Sequence, residues 1–291
     1  MKTFLDCIPC FFGQALFTAR ALNQDDEVIK KILDRLGSAL KDIPMDCPPP
    51  ETGRTVYQIV REVTGIEDPY HHLKAESIEK ALKLYPSLKT MVQESEDTID
   101  TAVRLAIAGN VIDFGVNRSF KIEEEIHRVL RERPAPFHID LFRRKLERAE
   151  NILYLGDNAG ETVFDRILIE TMGLPVTYAV RERPIINDAI LEDALKSGLG
   201  DVATLVSSGC DTPGTILNRC SKVFLERLEK AELIISKGQG NFEGLFGTKL
   251  PAFFLLKVKC RTVAEHIGLK EGSLVLMTNA PENTSMGDGY P

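Results

Sequence analysis

The sequence predicts an α/β protein, a parallel-rich sheet covered by helices in three layers, preceded by an all-helical part. Three observations lead there. Six short apolar runs lie between residues 151 and 278, most of them separated by helix-length amphipathic segments; strands that alternate with helices form parallel sheets buried on both faces. Before them, apolar residues recur only at three- and four-residue spacing, the helical period. Two of the runs, Ile152–Leu155 and Leu233–Ile235, end in polar segments that carry glycine, Gly156–Glu161 and Ser236–Glu243. Ligands of open parallel sheets bind outside the carboxyl ends of the strands.

Taken in order, the helical period covers Phe11 to Leu22, Asp26 to Leu40, Gly53 to Val63, Ala75 to Tyr85 and Leu88 to Ala108, with Pro48-Pro49-Pro50 as a stiff extended break. The character changes around Asp113-Phe114-Gly115, and a charged helix, Ile122 to Arg133, precedes the Pro134–Pro136 break. The strands are then Asn151–Leu155, Val176–Val180, Val202–Val206, Leu233–Ser236, Ala252–Val258 and Leu274–Thr278. The helices between them are Glu161–Met172, Asn187–Lys196, Pro213–Lys230 and Arg261–His266. At 291 residues and 43% hydrophobic content, two domains are expected, 1–135 helical and 136–291 α/β.

The formal net charge of −7 argues against a nucleic-acid surface, which needs clustered Lys and Arg. A phosphate ligand would have to be met by a local positive pocket or a metal. No apolar stretch reaches the ~18–20 residues that span a bilayer, and Asp6 interrupts the amino-terminal segment; a cytoplasmic protein without a membrane partner is expected. The six cysteines do not form a secreted framework. Cys7-Ile8-Pro9-Cys10 is equally a local metal or redox pair and a buried helix start.

Four segments bear chemistry. Asp157 and Asn158 offer a carboxylate and an amide oxygen at a strand end, hard donors for Mg²⁺ or Mn²⁺; the bland alternative is a turn with a capping aspartate. Asp188 follows the next strand and is either a third oxygen ligand or a helix cap, with Arg181 and Arg183 nearby in sequence. Lys237, Gly238, Gly240 and Asn241 form a glycine-spaced loop whose N–H groups and ammonium suit an anion. It is neither a Walker loop nor a dinucleotide fingerprint. Asn110 and Asp113 stop a long helix or reach the same cleft from the helical side. His71-His72 has no metal-ligand spacing.

Together these segments resemble the DUF89 family of metal-dependent damage-control phosphatases. The resemblance is carried by Gly109-Asn110-x-x-Asp113, Asp157-Asn158-Ala159-Gly160-Glu161, the Arg181-to-Asp188 segment and Lys237-Gly238-x-Gly240-Asn241. Asp68-Pro69-Tyr70 with Lys74 adds to it, and the CxxC matches the prokaryotic branch called subfamily I. The resemblance implies a helical domain on a Rossmann-like α/β/α domain with one divalent metal ion (manganese, nickel, cobalt or magnesium) held by Asp157, Asn158 and Asp188. It implies a small phosphorylated metabolite as substrate, damaged purine nucleotides or their precursors for this branch. The catalytic set is then Asp157, Asn158 and Lys237; Asn110, Asp113, Glu161, Lys237, Gly238, Gly240 and Asn241 are the substrate side. Other branches carry Arg-Thr-x-Lys near the end. Here Leu256-Lys257-Val258-Lys259-Cys260 stands instead, so a lysine contact alone carries over.

In the expected mechanism a cation polarises the phosphoryl group and orients water while Lys237 and loop N–H groups offset charge on the equatorial oxygens. Two rivals from other classes are an S-adenosylmethionine-dependent carboxyl methyltransferase and a non-catalytic phosphometabolite-binding protein. The first gains nothing from Lys237 beside a cationic sulfonium; the second needs no grouping of Asp157, Asn158 and Asp188.

Overall fold

A computed structural model describes residues 1–111, 119–132 and 136–279. Its helical half contains α1 (Cys7–Ala21), α2 (Asp26–Ala39), α3 (Pro49–Thr64), α4 (His71–Gln93), α5 (Thr98–Val111), α6 (Ser119–Arg131) and α7 (Ile139–Leu146). The second half runs β1 (Ile152–Leu155), α8 (Thr162–Met172), β2 (Val176–Val180), α9 (Leu191–Lys196), β3 (Thr204–Ser207), α10 (Lys222–Lys230), β4 (Leu233–Lys237), α11 (Gly238–Leu245), β5 (Ala252–Lys257), α12 (Arg261–His266) and β6 (Leu274–Thr278). Among the described residues no helix is long and apolar enough to cross a membrane.

The strands form one sheet in the order β3-β2-β1-β4-β5-β6, parallel throughout except for the antiparallel β5–β6 edge. This is a doubly wound order, and the strand sequence reverses between β1 and β4, where a crevice opens above the carboxyl ends. Side-chain alternation divides the strands between two cores. Ile152, Tyr154, Tyr178, Leu233, Ile235 and Phe253 face α4, α5, α7 and α8. Leu153, Leu155, Ile234, Phe254 and Leu256 face α10, α11 and α12. A third cluster joins α1, α2 and α3 to Tyr70 and Ile185. Helices α4 to α7 thus share a core with the sheet although they precede residue 150.

Five expectations change. Pro49 and Pro50 start α3 rather than break the chain, since a proline at the first helical positions gives up an N–H that has no partner there. Pro86 lies inside α4: the helix carries Ile78 and Ala81 before it and Leu88 and Val92 after it into one core, which outweighs the lost hydrogen bond. The break comes instead at Asp97, whose side chain accepts from Asp100 N at 3.0 Å and starts α5. The helix expected from Asn187 begins at Leu191. The helix expected from Pro213 begins at Lys222, where the Ser221 hydroxyl accepts from Phe224 N. β3 starts two residues later than expected, at Thr204.

Candidate active site

β1 delivers Asp157 and Asn158 to the crevice. The segment after β2 does not become helix; it returns as an extended piece bonded to the same place. Asp188 pairs with Asn158 in an antiparallel bridge, Ala189 N donates to Asp157 O at 2.7 Å and Ala159 N donates to Asn187 O at 2.8 Å. Backbone pairing, not a helix cap, is what brings Asp188 beside Asp157.

Both carboxylates are buried, Asp157 at 7% exposure and Asp188 at 3%. Burial raises Asp157 well above the ordinary carboxylate range, and the charges of Asp188 and Glu161 add to it. Burial also raises Asp188, with Arg181 opposing the shift. The Arg181 guanidinium donates through Nε to Asp188 Oδ2 at 2.7 Å and lies 4.0 Å from Asp157 Oδ1. One arginine does not balance the acids gathered here, so the site favours added positive charge.

Glu161 orients two amides. Asn110 Nδ2 donates to Glu161 Oε1 at 2.6 Å and to Asp157 Oδ2 at 3.0 Å, while its Oδ1 accepts from Lys257 N. Asn158 Nδ2 likewise donates to Glu161 Oε1 and to Asp157 Oδ2. With its NH₂ committed, Asn158 keeps its amide oxygen for a ligand. Two carboxylates and one amide oxygen are a hard donor set that fits Mg²⁺ or Mn²⁺.

Lys237 differs from its expected place. It is the last residue of β4, not part of a loop, and the glycines after it open helix α11. Leu233, Ile235 and Lys237 alternate onto one sheet face, so the lysine enters the core under α8. Its Nζ donates to Glu161 Oε2 at 3.0 Å and Asp165 Oδ1 at 2.5 Å, with 0% exposure. Burial pulls this ammonium down, but Asp165 and Glu161 outweigh it and hold it above the ordinary lysine value. Asp165 is in turn held by the hydroxyls of Tyr154 and Tyr178, each at 2.7 Å. Those rings are register partners stacked 5.1 Å apart. Lys237 is therefore the buried counter-charge of Glu161 and not a free ammonium for phosphate.

Asn241 also turns inward. It is fully buried, its Oδ1 accepts from Arg181 and Thr215, and its Nδ2 donates to Gly156 O and Lys237 O. It ties the ends of β1 and β4 to Arg181. Gly238 and Gly240 serve close approach: a Cβ on Gly238 would sit 1.9 Å from Asp157 Oδ2, and one on Gly240 2.2 Å from Pro213 O. Asp113 lies outside the described residues.

Above these groups opens a cavity of about 1490 Å³. Asn110, Asn158 and Glu161 line its floor, and Lys257 and Lys259 both line one wall. Opposite, the exposed face of α1 contributes Cys10, Gly13, Phe17 and Arg20. A smaller cavity of about 480 Å³ lies by Asn151, Pro175 and Ala203 at the amino-terminal ends of the strands, away from these groups. The sequence reading missed Asp165 and the two tyrosines. The available signal was Glu161 and Asp165 one turn apart at a helix start, facing a lysine in phase with Leu233 and Ile235.

Known proteins resemble this chain in sequence and in fold. The model of the damage-control phosphatase ARMT1-like domain matches residues 3–275. A protein named damage-control phosphatase PH1575 from Pyrococcus horikoshii is 36% identical over 290 residues, covering 96% of this chain and 99% of its own. A damage-control phosphatase from Archaeoglobus fulgidus is 33% identical over 286 residues, covering 94% and 98%. The crystal structure of a DUF89 family protein from Pyrococcus horikoshii superposes with a TM-score of 0.90 at 34% identity, covering 96% of this chain and 100% of that one. Given the match in sequence, fold and length, the chain belongs to the damage-control phosphatase ARMT1-like family, the DUF89 proteins.

Proposed function

We propose that the protein is a divalent-cation-dependent phosphatase that hydrolyses phosphate monoesters of small metabolites. The observation that carries this reading is the convergence of Asp157 and Asp188, both raised by burial, with the Asn158 amide oxygen at the floor of a cavity walled by Lys257 and Lys259. Asp157, Asn158 and Asp188 would hold one Mg²⁺ or Mn²⁺, with nickel and cobalt as further candidates for an oxygen site of this size. When bound, the cation supplies Lewis-acid polarisation of the phosphoryl oxygen and a more acidic water.

The chain's own residues do the rest. Glu161 sets the flip of both amides, so that Asn158 presents oxygen and not nitrogen. Lys237 pairs with Glu161 at the bottom of the site, a role that replaces direct contact with phosphate. Lys257 and Lys259 meet the phosphate dianion from the wall and offset charge that builds on its equatorial oxygens. Arg181 balances Asp188 and leaves Asp157 the less compensated of the two. The cavity exceeds the 300–1000 Å³ common for small-ligand sites, room for a leaving group the size of a nucleoside, which supports a damaged nucleotide or its precursor as the substrate class.

The test is hydrolysis of an aryl phosphate by protein stripped with chelator, then supplied with Mg²⁺, Mn²⁺, Ni²⁺ or Co²⁺ in turn. Turnover that appears only with added cation, and is absent in Asp157→Ala, is the expected result. Turnover unaffected by chelator, or heat released on titration with S-adenosylmethionine, overturns the reading.

A further inference from the structure

Cys210 and Cys220 lie at the two ends of the segment that leads from β3 into α10, and no part of the site described above uses a thiol. Their sulfurs converge on one backbone oxygen: Cys210 Sγ lies 3.9 Å from Ile216 O and Cys220 Sγ lies 3.4 Å from the same atom. Cys210 is fully buried, with Thr212 Oγ1 2.9 Å from its sulfur; Cys220 is half-buried and gives the pair its access to solvent. The environment divides them. The neighbouring Cys220 thiol holds Cys210 down to about 5 against the opposing effect of burial, and Arg181 adds to the lowering. Cys220 is driven the other way, by that same contact and by burial. The resting thiolate is therefore Cys210, and Cys220 carries the proton.

The segment between them braces the active site. Thr215 Oγ1 donates to Asn241 Oδ1 at 2.8 Å and accepts from Arg181 Nη1 at 3.1 Å. Gly214 is packed so closely on α11 that a Cβ there would lie 2.4 Å from Gly240 O. Cys7, Cys10, Cys47 and Cys260 share none of these contacts.

We propose that Cys210 and Cys220 are a reversible dithiol–disulfide site that cross-links the ends of the segment bracing Arg181 and Asn241. The co-reactant is a low-molecular-weight disulfide. The solvent-facing Cys220 passes its proton to the neighbouring Cys210 thiolate as its sulfur attacks one sulfur of that disulfide and expels the first small thiolate. Cys210 then attacks the Cys220 sulfur of the mixed disulfide and expels the second. Two cysteines are oxidised to one disulfide, the small disulfide is reduced to two thiols, and the protons lost by the pair pass to those thiols or to water.

The experiment uses the full chain and does not depend on phosphatase activity. Reduced protein is exposed to oxidised glutathione, free thiols are alkylated, and the digest is mapped by mass spectrometry. A peptide linking Cys210 to Cys220 that dithiothreitol releases is the expected result. Closing a ring this short should raise the melting temperature of the oxidised protein by about 3–5 °C, and Cys220→Ser should show neither the link nor the shift. Recovery of Cys210 and Cys220 as separate alkylated peptides, under oxidation that modifies the exposed Cys10, overturns the proposal. So does a link from either residue to another cysteine.

Discussion

Lys237 and Glu161 form an ion pair sealed from solvent, their charged atoms 3.0 Å apart at 0% and 1% side-chain exposure. Breaking a buried pair by removing one partner costs about 3–5 kcal/mol, because the other charge is left uncompensated. Lys237→Ala should therefore lower the melting temperature by roughly 5–8 °C and weaken cation binding, since Glu161 no longer holds the amides. Lys237→Ala with Glu161→Gln should recover stability but not turnover. An unchanged melting temperature in the single variant would rule out the buried pair.

Asp157 is a liability to the cation-free fold, with burial and the charges of Asp188 and Glu161 set against it. Asp157→Asn should leave the cation-free protein as stable as the parent or more so. A cation at a hundred times its Kd stabilises by about 2.7 kcal/mol, a rise of about 4 °C in the parent, and this rise should vanish in the variant. A full cation-induced shift in Asp157→Asn, followed by scanning calorimetry, would move the cation site elsewhere.

Lys257 and Lys259 share the cavity wall. A charged hydrogen bond contributes about 1.5–3 kcal/mol, so replacing either lysine by alanine should raise KM for an aryl phosphate by about ten- to a hundredfold. Cation affinity measured by calorimetry should stay at the parent value. Unchanged KM in both variants would exclude this wall as the phosphate contact.

Gly238 has φ 76°, in the left-handed region that disfavours side chains, and the space for a Cβ is occupied by the Asp157 carboxylate. Gly238→Ala should therefore displace Asp157 and cost cation affinity tenfold or more, read by the same calorimetry. Gly13, also on the cavity but with nothing within 4 Å of a built Cβ, is the matched control: Gly13→Ala should bind the cation as the parent does.

Glu243 offers a pH test away from the cation site. Burial lifts it from 4.5 to about 7, with Gln239 opposing the shift. A carboxyl raised in the fold binds more protons in the native than in the unfolded state, so stability falls as pH rises from about 4.5 to about 7. The loss is at most about 3 kcal/mol. Glu243→Gln keeps the acceptor for Gln239 and should remove that slope, being more stable than the parent at pH 8 and near it at pH 4.5. Parallel melting curves of the two proteins across this range would contradict the assignment.

The sheet was legible because its strands are short, apolar and separated by helices: Val176–Val180 and Leu274–Thr278 match to the residue. The recurrence of polar segments after β1 and β4 located the crevice, and Asp157, Asn158 and Asp188 do come together there. What the sequence hid was decided by contacts across the fold. Pro86 reads as a helix end until the core on both sides of it is known. Asp188 reads as a cap because its real partner, the backbone at Asn158, is distant in the chain. Lys237 reads as a ligand because lysines are rarely buried; only strand phase, set against Asp165 on the facing helix, shows where it goes.

The wall contributed by α1 shows how this architecture divides its labour. The carboxylates that would hold the cation follow β1 and β2, where each depends on several buried neighbours and tolerates little change. Cys10, Gly13, Phe17 and Arg20 stand on the exposed face of a helix whose other side joins a separate core. Their replacement disturbs no buried charge. Selection among substrates can thus drift along one helix face while the hydrolytic apparatus stays fixed, a means by which one scaffold diversifies its repertoire without rebuilding its chemistry.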